Sequence, residues 1–208
     1  MIPFFTLQES LILGLGVLGA YLMGSISSAI LICRLFGLPD PRQQGSKNPG
    51  TTNVLRLGGK IPAALTLLCD VAKGVVPVLL VKYFTLNPWI ISCVLLAAVV
   101  GHLYPIFFGF KGGKGVATAI GALFALSPYL GAIFILVWIG VFALCRYSSA
   151  SALVATITMP AFAYGFLDER YLPALILLAV IIVLKHKENI VRLFTGKETK
   201  SSFKSPTR

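Results

Sequence analysis

The residues best suited to chemistry lie in three polar segments. The sharpest reads Phe110-Lys111-Gly112-Gly113-Lys114-Gly115-Val116-Ala117-Thr118. Three glycines free the backbone for a tight turn, which lets successive N–H groups converge on an anion. A helix opening near Val116 adds its N-terminal dipole at the same point, and Lys114 adds a mobile positive charge. This is not a Walker A loop: the place of its first glycine falls on Phe108, and Gly115 stands where Ser or Thr would hold Mg²⁺. Anion binding is favoured over the plainer reading, a flexible lysine turn between helices.

The second segment is Gly45-Ser46-Lys47-Asn48-Pro49-Gly50-Thr51-Thr52-Asn53-Val54-Leu55-Arg56. It is dense in turn formers and small hydrogen-bonding groups. Thr52 or Asn53 is a candidate cap for a short helix on which Asn53 and Arg56 share a face. Arg56 suits bidentate phosphate recognition; an ordinary basic loop is the equal alternative. The third segment, His186-Lys187-Glu188-Asn189-Ile190-Val191-Arg192-Leu193, places His186, Asn189 and Arg192 within about 120° of helical arc. An interfacial amphipathic helix attracted to anionic lipid has the same pattern.

Other groups give weaker signals. His102 closes an apolar run beside Tyr104 and Pro105, where a hydrogen-bonded structural role is the simpler one. Asp70 and Lys73 stand at i,i+3 inside another run, and intramembrane charges are functional candidates as readily as a buried pair. The only two histidines are far apart, with no Cys/His ligand spacing and no Gly-x-Ser-x-Gly elbow. No metal site and no cofactor are expected. The His-x4-Asp pair of thioester-using glycerolipid acyltransferases is absent as well.

The elements that must position these groups are membrane helices. Of the 208 residues 57% are hydrophobic and 12% charged, about half the charged share of a soluble domain; mean hydropathy is +0.88. Residues 11–33 run without a charge, and a bilayer needs ~20. Further apolar runs cover 61–81, 89–103, 116–145, 150–166 and 171–184. As one helix, 116–145 would measure ~45 Å against a ~30 Å hydrocarbon core, and Ser127-Pro128 offers a break. Seven helices result, with the N-terminus outside and the C-terminus cytoplasmic. That count gathers 15 of the 18 Lys and Arg on one face, leaving Lys82 and Arg170 opposite and Lys73 within the membrane.

The fold class is therefore an all-α integral membrane bundle. One polytopic domain covers 1–196, followed by a polar cytoplasmic tail, 197–208, expected to be disordered. The net charge of +11 follows the positive-inside pattern, and no basic face with interleaved aromatics speaks for nucleic acid. Cys33, Cys69, Cys93 and Cys145 lie in or beside apolar runs and read as small buried residues.

Taken together, the chain resembles the bacterial acyl-phosphate:glycerol-3-phosphate acyltransferase family. The resemblance rests on Gly24-Ser25-Ile26, on the whole of Gly45 to Arg56 and on Asp70-x-x-Lys73-Gly74. It continues through Gly101-His102-x-x-Pro105-x-Phe107-Phe108 and the glycine-lysine segment to His186-x-x-Asn189-Ile190-x-Arg192-Leu193. Ser27 stands where the family usually has proline, Lys47 where glycine is common, and Lys185 where arginine often precedes the histidine.

The resemblance implies a seven-helix bacterial inner-membrane enzyme with its site on the cytoplasmic face. It would transfer a fatty acyl group from acyl phosphate to the sn-1 hydroxyl of glycerol 3-phosphate, giving lysophosphatidic acid and phosphate. On this reading the catalytic residues are His186, Ser46 and Lys114. Substrate is bound by Asn48, Thr52, Asn53, Arg56, His102, Lys111, Gly112, Gly113, Gly115, Thr118, Asn189 and Arg192. Ser46, Arg56, Lys114, His186 and Asn189 hold glycerol 3-phosphate, while the glycine turn takes the acyl phosphate. Membrane lipid and a soluble acyl-phosphate synthase are the expected partners. The rival from another class is a phosphate or organic-anion transporter, which predicts midplane ligands and internal repeats that the sequence lacks.

Overall fold

The first apolar run opens on a capping box. Thr6 accepts from the Glu9 N–H while the Glu9 carboxylate accepts from the Thr6 N–H, so two otherwise orphaned donors are satisfied. In this computed structural model, which describes residues 5–201, the run does not stay one helix. α1 (Leu7–Gly24) stops, and α2 (Ser28–Leu35) restarts after an extended Ser27. Ser25 turns its hydroxyl back onto the Tyr21 carbonyl at 2.8 Å, and the break frees the Ile26 carbonyl. The Lys73 ammonium takes that carbonyl at 2.8 Å, which meets the requirement that buried backbone groups be paired.

The remaining helices are α3 (Thr51–Gly58), α4 (Lys60–Phe84), α5 (Pro88–Leu103), α6 (Val116–Leu126), α7 (Pro128–Cys145), α8 (Ser148–Phe166), α9 (Leu172–Lys185) and α10 (Lys187–Phe194). Short 3₁₀ turns follow α5 at Ile106–Phe108 and precede α9 at Glu169–Tyr171. No strand occurs among the described residues. Among the described residues five segments are long and apolar enough to cross a membrane: Leu7–Leu35, Lys60–Phe84, Pro88–Phe108, Pro128–Cys145 and Ser148–Phe166. α6 has 11 residues and α9 has 14.

The run 116–145 is divided where its sequence suggested. Ser127 accepts from the Leu130 N–H, and Pro128 occupies the first helical position of α7, where its missing N–H costs nothing. α6 alone is too short for a ~30 Å core. Its C-terminal carbonyls are met by Lys82 from the end of α4, which donates to Ala125 at 2.8 Å and Leu126 at 3.0 Å.

The core lies where α4, α5 and α6 meet, with Ile90, Ile91, Val94 and Leu95 of α5 fully buried against Leu123 and Val78. Gly74 lets α4 and α6 touch: a Cβ there would stand 2.1 Å from the Thr118 carbonyl oxygen, the small-residue contact that membrane helices use in place of a hydrophobic drive. Large apolar side chains such as Leu11, Leu15, Leu136 and Ile176 face outward, as a lipid-facing surface does. Lys82 and the α6–α7 turn share one end of the bundle. The glycine turn, the start of α8 and α10 share the other.

Candidate active site

After α5 the chain must reverse before α6. Gly109 and Phe110 both take left-handed backbone, with φ of 65° and 58°, and the Phe110 N–H reaches back to the Pro105 carbonyl at 2.9 Å. The Gly113 N–H then donates to the His102 carbonyl at 3.2 Å. A Cβ at Gly113 would lie 2.2 Å from His102 Nε2 and 2.9 Å from the Pro49 carbonyl oxygen. This glycine is thus needed for close approach, and its N–H is already used. Gly115, at φ 83°, turns the chain into α6, whose first N–H groups are left open by the helix. The turn offers an anion those N–H groups and Lys114, not the converging N–H of every glycine.

Behind the turn stands a buried chain of charges. Lys73 Nζ lies 2.8 Å from Asp70 Oδ1, and His102 Nδ1 lies 3.6 Å from the same oxygen. His102 is 7% exposed, and its carbonyl and ring both lie against Gly113 of the glycine turn. Thr118 is fully buried on α6 with its hydroxyl unpaired among the described residues. It too lies inside the packing.

On the open side, Lys114 Nζ donates to Asn189 Oδ1 of α10. Asn189 Nδ2 donates to Glu198 Oε1 at 2.6 Å, and Arg192 Nε donates to Glu198 Oε2 at 2.7 Å. Ser149, at the start of α8, donates to Glu198 Oε1 at 2.6 Å. One helical position earlier, Ser148 shares a 3.2 Å hydrogen bond with Thr52 of α3. Four separate stretches of chain therefore converge on one cluster. Burial, then Arg192, push the Lys114 ammonium down to about 8, against Glu198 and Glu188, with Arg56 adding to the fall. Lys114, Arg192 and Arg56 thus share one electrostatic neighbourhood.

His186 sits at the junction where α9 ends and α10 begins, with φ −96° and ψ 8°. Its Nδ1 lies 2.8 Å from the Ile182 carbonyl. A carbonyl only accepts, so Nδ1 carries the proton and Nε2 keeps its lone pair. Burial pushes the ring down to about 4; the Ile182 contact opposes the fall, and the Lys114 charge adds to it. His186 is neutral at ordinary pH.

The 45–56 segment does not bring all its polar groups to the site. Asn53 is 1% exposed. Its Nδ2 donates to the carbonyls of Pro41 and Gln44, and its Oδ1 accepts from the Ser46 N–H. The side chain is spent holding its own loop, so it neither caps α3, which starts after Gly50 without a side-chain cap, nor reaches outward. Ser46 and Arg56 are exposed and Asn48 is half-buried, with Pro49 against Gly113 joining this loop to the glycine turn. Lys47 takes φ 55°, which explains why glycine suits that position. Lys111 is exposed at the rim.

Sequence reasoning passed over Ser149 and Glu198. Ser149 follows a Tyr-Ser pair that reads as an ordinary helix start. Glu198 belongs to the expected tail, yet the Lys197 and Glu198 N–H groups both return to the Arg192 carbonyl, and the Ser201 N–H reaches the Arg146 carbonyl at 2.9 Å. The chain is therefore folded against the bundle as far as 201; residues 202–208 lie outside the described residues. Two grooves on the bundle are lined by apolar side chains and hold none of these groups. One, of about 710 Å³, runs between α1 and α5 past Leu13, Val17 and Leu96. Among the described residues no three His, Cys, Asp or Glu gather as a metal site would require.

Comparison with known proteins agrees with this picture. A family model described as glycerol-3-phosphate acyltransferase matches residues 14–196. A glycerol-3-phosphate acyltransferase of Francisella tularensis subsp. novicida is 53% identical over 190 residues, 91% of this chain and 93% of that protein. One from Francisella philomiragia is 52% identical over 189 residues, with the same shares covered. The crystal structure of PlsY (YgiH), an integral membrane glycerol 3-phosphate acyltransferase, superposes in its glycerol 3-phosphate form with a TM-score of 0.87 and 42% identity, covering 91% of this chain and 96% of that one. Its lysophosphatidic acid form gives 0.85 and 40%, covering 92% and 96%. With more than half its length matched by the family model and its relatives this close, the chain belongs to the glycerol-3-phosphate acyltransferase family.

Proposed function

We propose that this chain transfers a fatty acyl group from acyl phosphate to the sn-1 hydroxyl of glycerol 3-phosphate. The products are 1-acylglycerol 3-phosphate and inorganic phosphate. The observation that carries the reading is the hydrogen bond between Lys114 and Asn189 at one end of an apolar bundle, with His186 one helical turn before Asn189 and within the electrostatic reach of Lys114. Such a site leaves an acyl chain in lipid while cations grip phosphate. The crystallised relative in glycerol 3-phosphate and lysophosphatidic acid forms supports the same pair as reactant and product here.

Acyl phosphate is a mixed anhydride and already activated, so orientation and charge neutralisation are the main tasks left to the protein. Lys114, Arg56 and Ser46 grip glycerol 3-phosphate, with Arg192 and Lys111 adding positive potential. The open N–H groups at the start of α6 face the acyl phosphate. The glycerol hydroxyl oxygen attacks the acyl carbonyl carbon and forms the ester bond. The bond from that carbon to the phosphate oxygen breaks, and its electron pair leaves with phosphate. His186 Nε2 accepts a hydrogen bond from the hydroxyl and orients it. The departing phosphate takes the proton: its bridging oxygen leaves with the bond's electron pair and a full extra negative charge, which makes it far more basic than a ring that burial pushes down to about 4.

Seven helical crossings, the short α6 completing its own inside the protein rather than against lipid, with the N-terminus outside and the site on the cytoplasmic face of the bacterial inner membrane, fit the charge distribution best. A soluble acyl-phosphate synthase is the partner this donor requires. The test is phosphate release by purified protein given palmitoyl phosphate, with and without glycerol 3-phosphate and with no metal added, beside Lys114→Ala. Release that depends on glycerol 3-phosphate and is lost in the variant is expected. No release from folded protein, with turnover of palmitoyl-coenzyme A instead, would overturn the donor assignment.

A further inference from the structure

The segment after α10 contributes a group that neither the motifs nor the reaction above assigns. Gly196 turns at φ 68°, the Lys197 and Glu198 N–H groups fasten to the Arg192 carbonyl, and the Glu198 carboxylate is delivered into the cluster with its side chain 10% exposed. Three donors from two helices meet it: Ser149 and Asn189 on Oε1, Arg192 on Oε2. Burial raises the pKa of this carboxyl, but the bonds from Ser149, Arg192 and Asn189 outweigh it and keep the group below its ordinary value. It is an anion, and an anion only accepts.

That last property has a geometric consequence. An amide has one donating and one accepting end, and nothing in its shape says which end goes where. An ionised carboxylate on one side of Asn189 forces Nδ2 toward itself, so Oδ1 must face the Lys114 ammonium, the contact that is present. We propose that Glu198 is a positioning residue of the acyltransferase site: its carboxylate sets the orientation of the Asn189 amide, and through it holds Lys114 and draws the start of α8 to α10. This rests on the functional reading above. The same charge faces Lys114 from the far side of Asn189, while Arg192, Glu188, Arg56 and His186 make up the other charged and titratable neighbours.

The test compares Glu198→Gln and Glu198→Asp with wild type in the full-length protein. Each is assayed for glycerol 3-phosphate-dependent phosphate release from palmitoyl phosphate across pH, with thermal unfolding measured alongside. Glutamine offers both a donor and an acceptor and removes the charge, so the Asn189 amide loses its fixed direction. A fall in kcat/KM for glycerol 3-phosphate of about tenfold or more is expected, with the KM for palmitoyl phosphate nearly unchanged. The alkaline limb set by Lys114 moves to lower pH, because the carboxylate that raises it is gone. Aspartate, which keeps the charge, restores most of the rate and returns the limb.

Glu198→Gln with a lowered unfolding temperature but an unmoved limb and unchanged kcat/KM would reduce Glu198 to a structural clasp and overturn the proposal. A gain in glycerol 3-phosphate affinity would also overturn it, making Glu198 a stand-in anion that substrate displaces. Wild-type protein without glycerol 3-phosphate-dependent release would instead sink the functional reading, and this proposal with it.

Discussion

The Nδ1–H of His186 is donated to the carbonyl of Ile182, one helical turn back, at 2.8 Å. The contact closes α9, and it also fixes which ring nitrogen faces the reaction. Nε2 keeps a lone pair in a setting that holds the ring pKa near 4. A general base is most effective with a pKa near the working pH and contributes about 10²–10⁴-fold. His186→Gln, which places an amide near the Nε2 position, is expected to lower kcat/KM by only about tenfold, short of that range. The acidic limb of the pH–rate profile should stay in place, since it belongs to the substrate phosphates. Loss of that limb at unchanged KM would make His186 the base.

Lys114 sets the other side of the profile. Its ammonium is pushed down to about 8; it is charged below that pH and loses its grip on phosphate as pH rises through it. An alkaline limb near 8 is expected in kcat/KM, which reports the free enzyme. Bound phosphate stabilises the ammonium, so the limb in kcat lies higher. Lys114→Arg keeps its charge past pH 12 and should erase the limb, at reduced rate because a guanidinium fork does not replace a point charge facing Asn189. Profiles of both forms over pH 5.5–10 decide the matter.

What the sequence discloses follows the cost of polarity in an apolar chain. Lys114, Asn189 and Arg192 stand out because charges and amides are rare there, and the structure brings them together. Ser127-Pro128 is legible as a break because a cap and a proline at the first helical position are local signals. The bend between α1 and α2 is not: it depends on Lys73, 47 residues away in the chain from Ile26. Asn53 misleads for the opposite reason. An amide in a polar motif reads as a ligand, but three backbone partners consume it. Glu198 is hidden because its partners lie on α8 and α10, while its own surroundings are those of a polar tail.

Gly113 is, with Gly112 beside it, among the tightest points of the site. An added methyl would lie 2.2 Å from His102 Nε2 and 2.9 Å from the Pro49 carbonyl oxygen, so the turn or the histidine must move. Overpacking of this kind costs about 1–3 kcal/mol. Gly113→Ala is therefore expected to remain folded in detergent with a lowered unfolding temperature, and to lose most of its glycerol 3-phosphate-dependent turnover. Gly14→Ala is the control, since a Cβ there meets nothing within 4 Å. Wild-type turnover in Gly113→Ala would show that the His102 platform does not hold the turn in place.

The buried Lys73 performs two tasks at once. Its ammonium pairs with Asp70 at 2.8 Å and satisfies the Ile26 carbonyl at the α1–α2 break, also at 2.8 Å. Lys73→Met leaves a carboxylate and a carbonyl in the interior without their partner. Removing one member of a buried pair costs about 3–5 kcal/mol, whereas removing both charges is far milder. Lys73→Met should thus unfold at markedly lower temperature, and Asp70→Asn combined with Lys73→Met should regain part of the loss. The recovery must be incomplete, because the Ile26 carbonyl still lacks its donor. Measured unfolding temperatures of the two variants and wild type test this ordering; a double variant less stable than Lys73→Met would mean that the Asp70 charge is stabilised chiefly by His102.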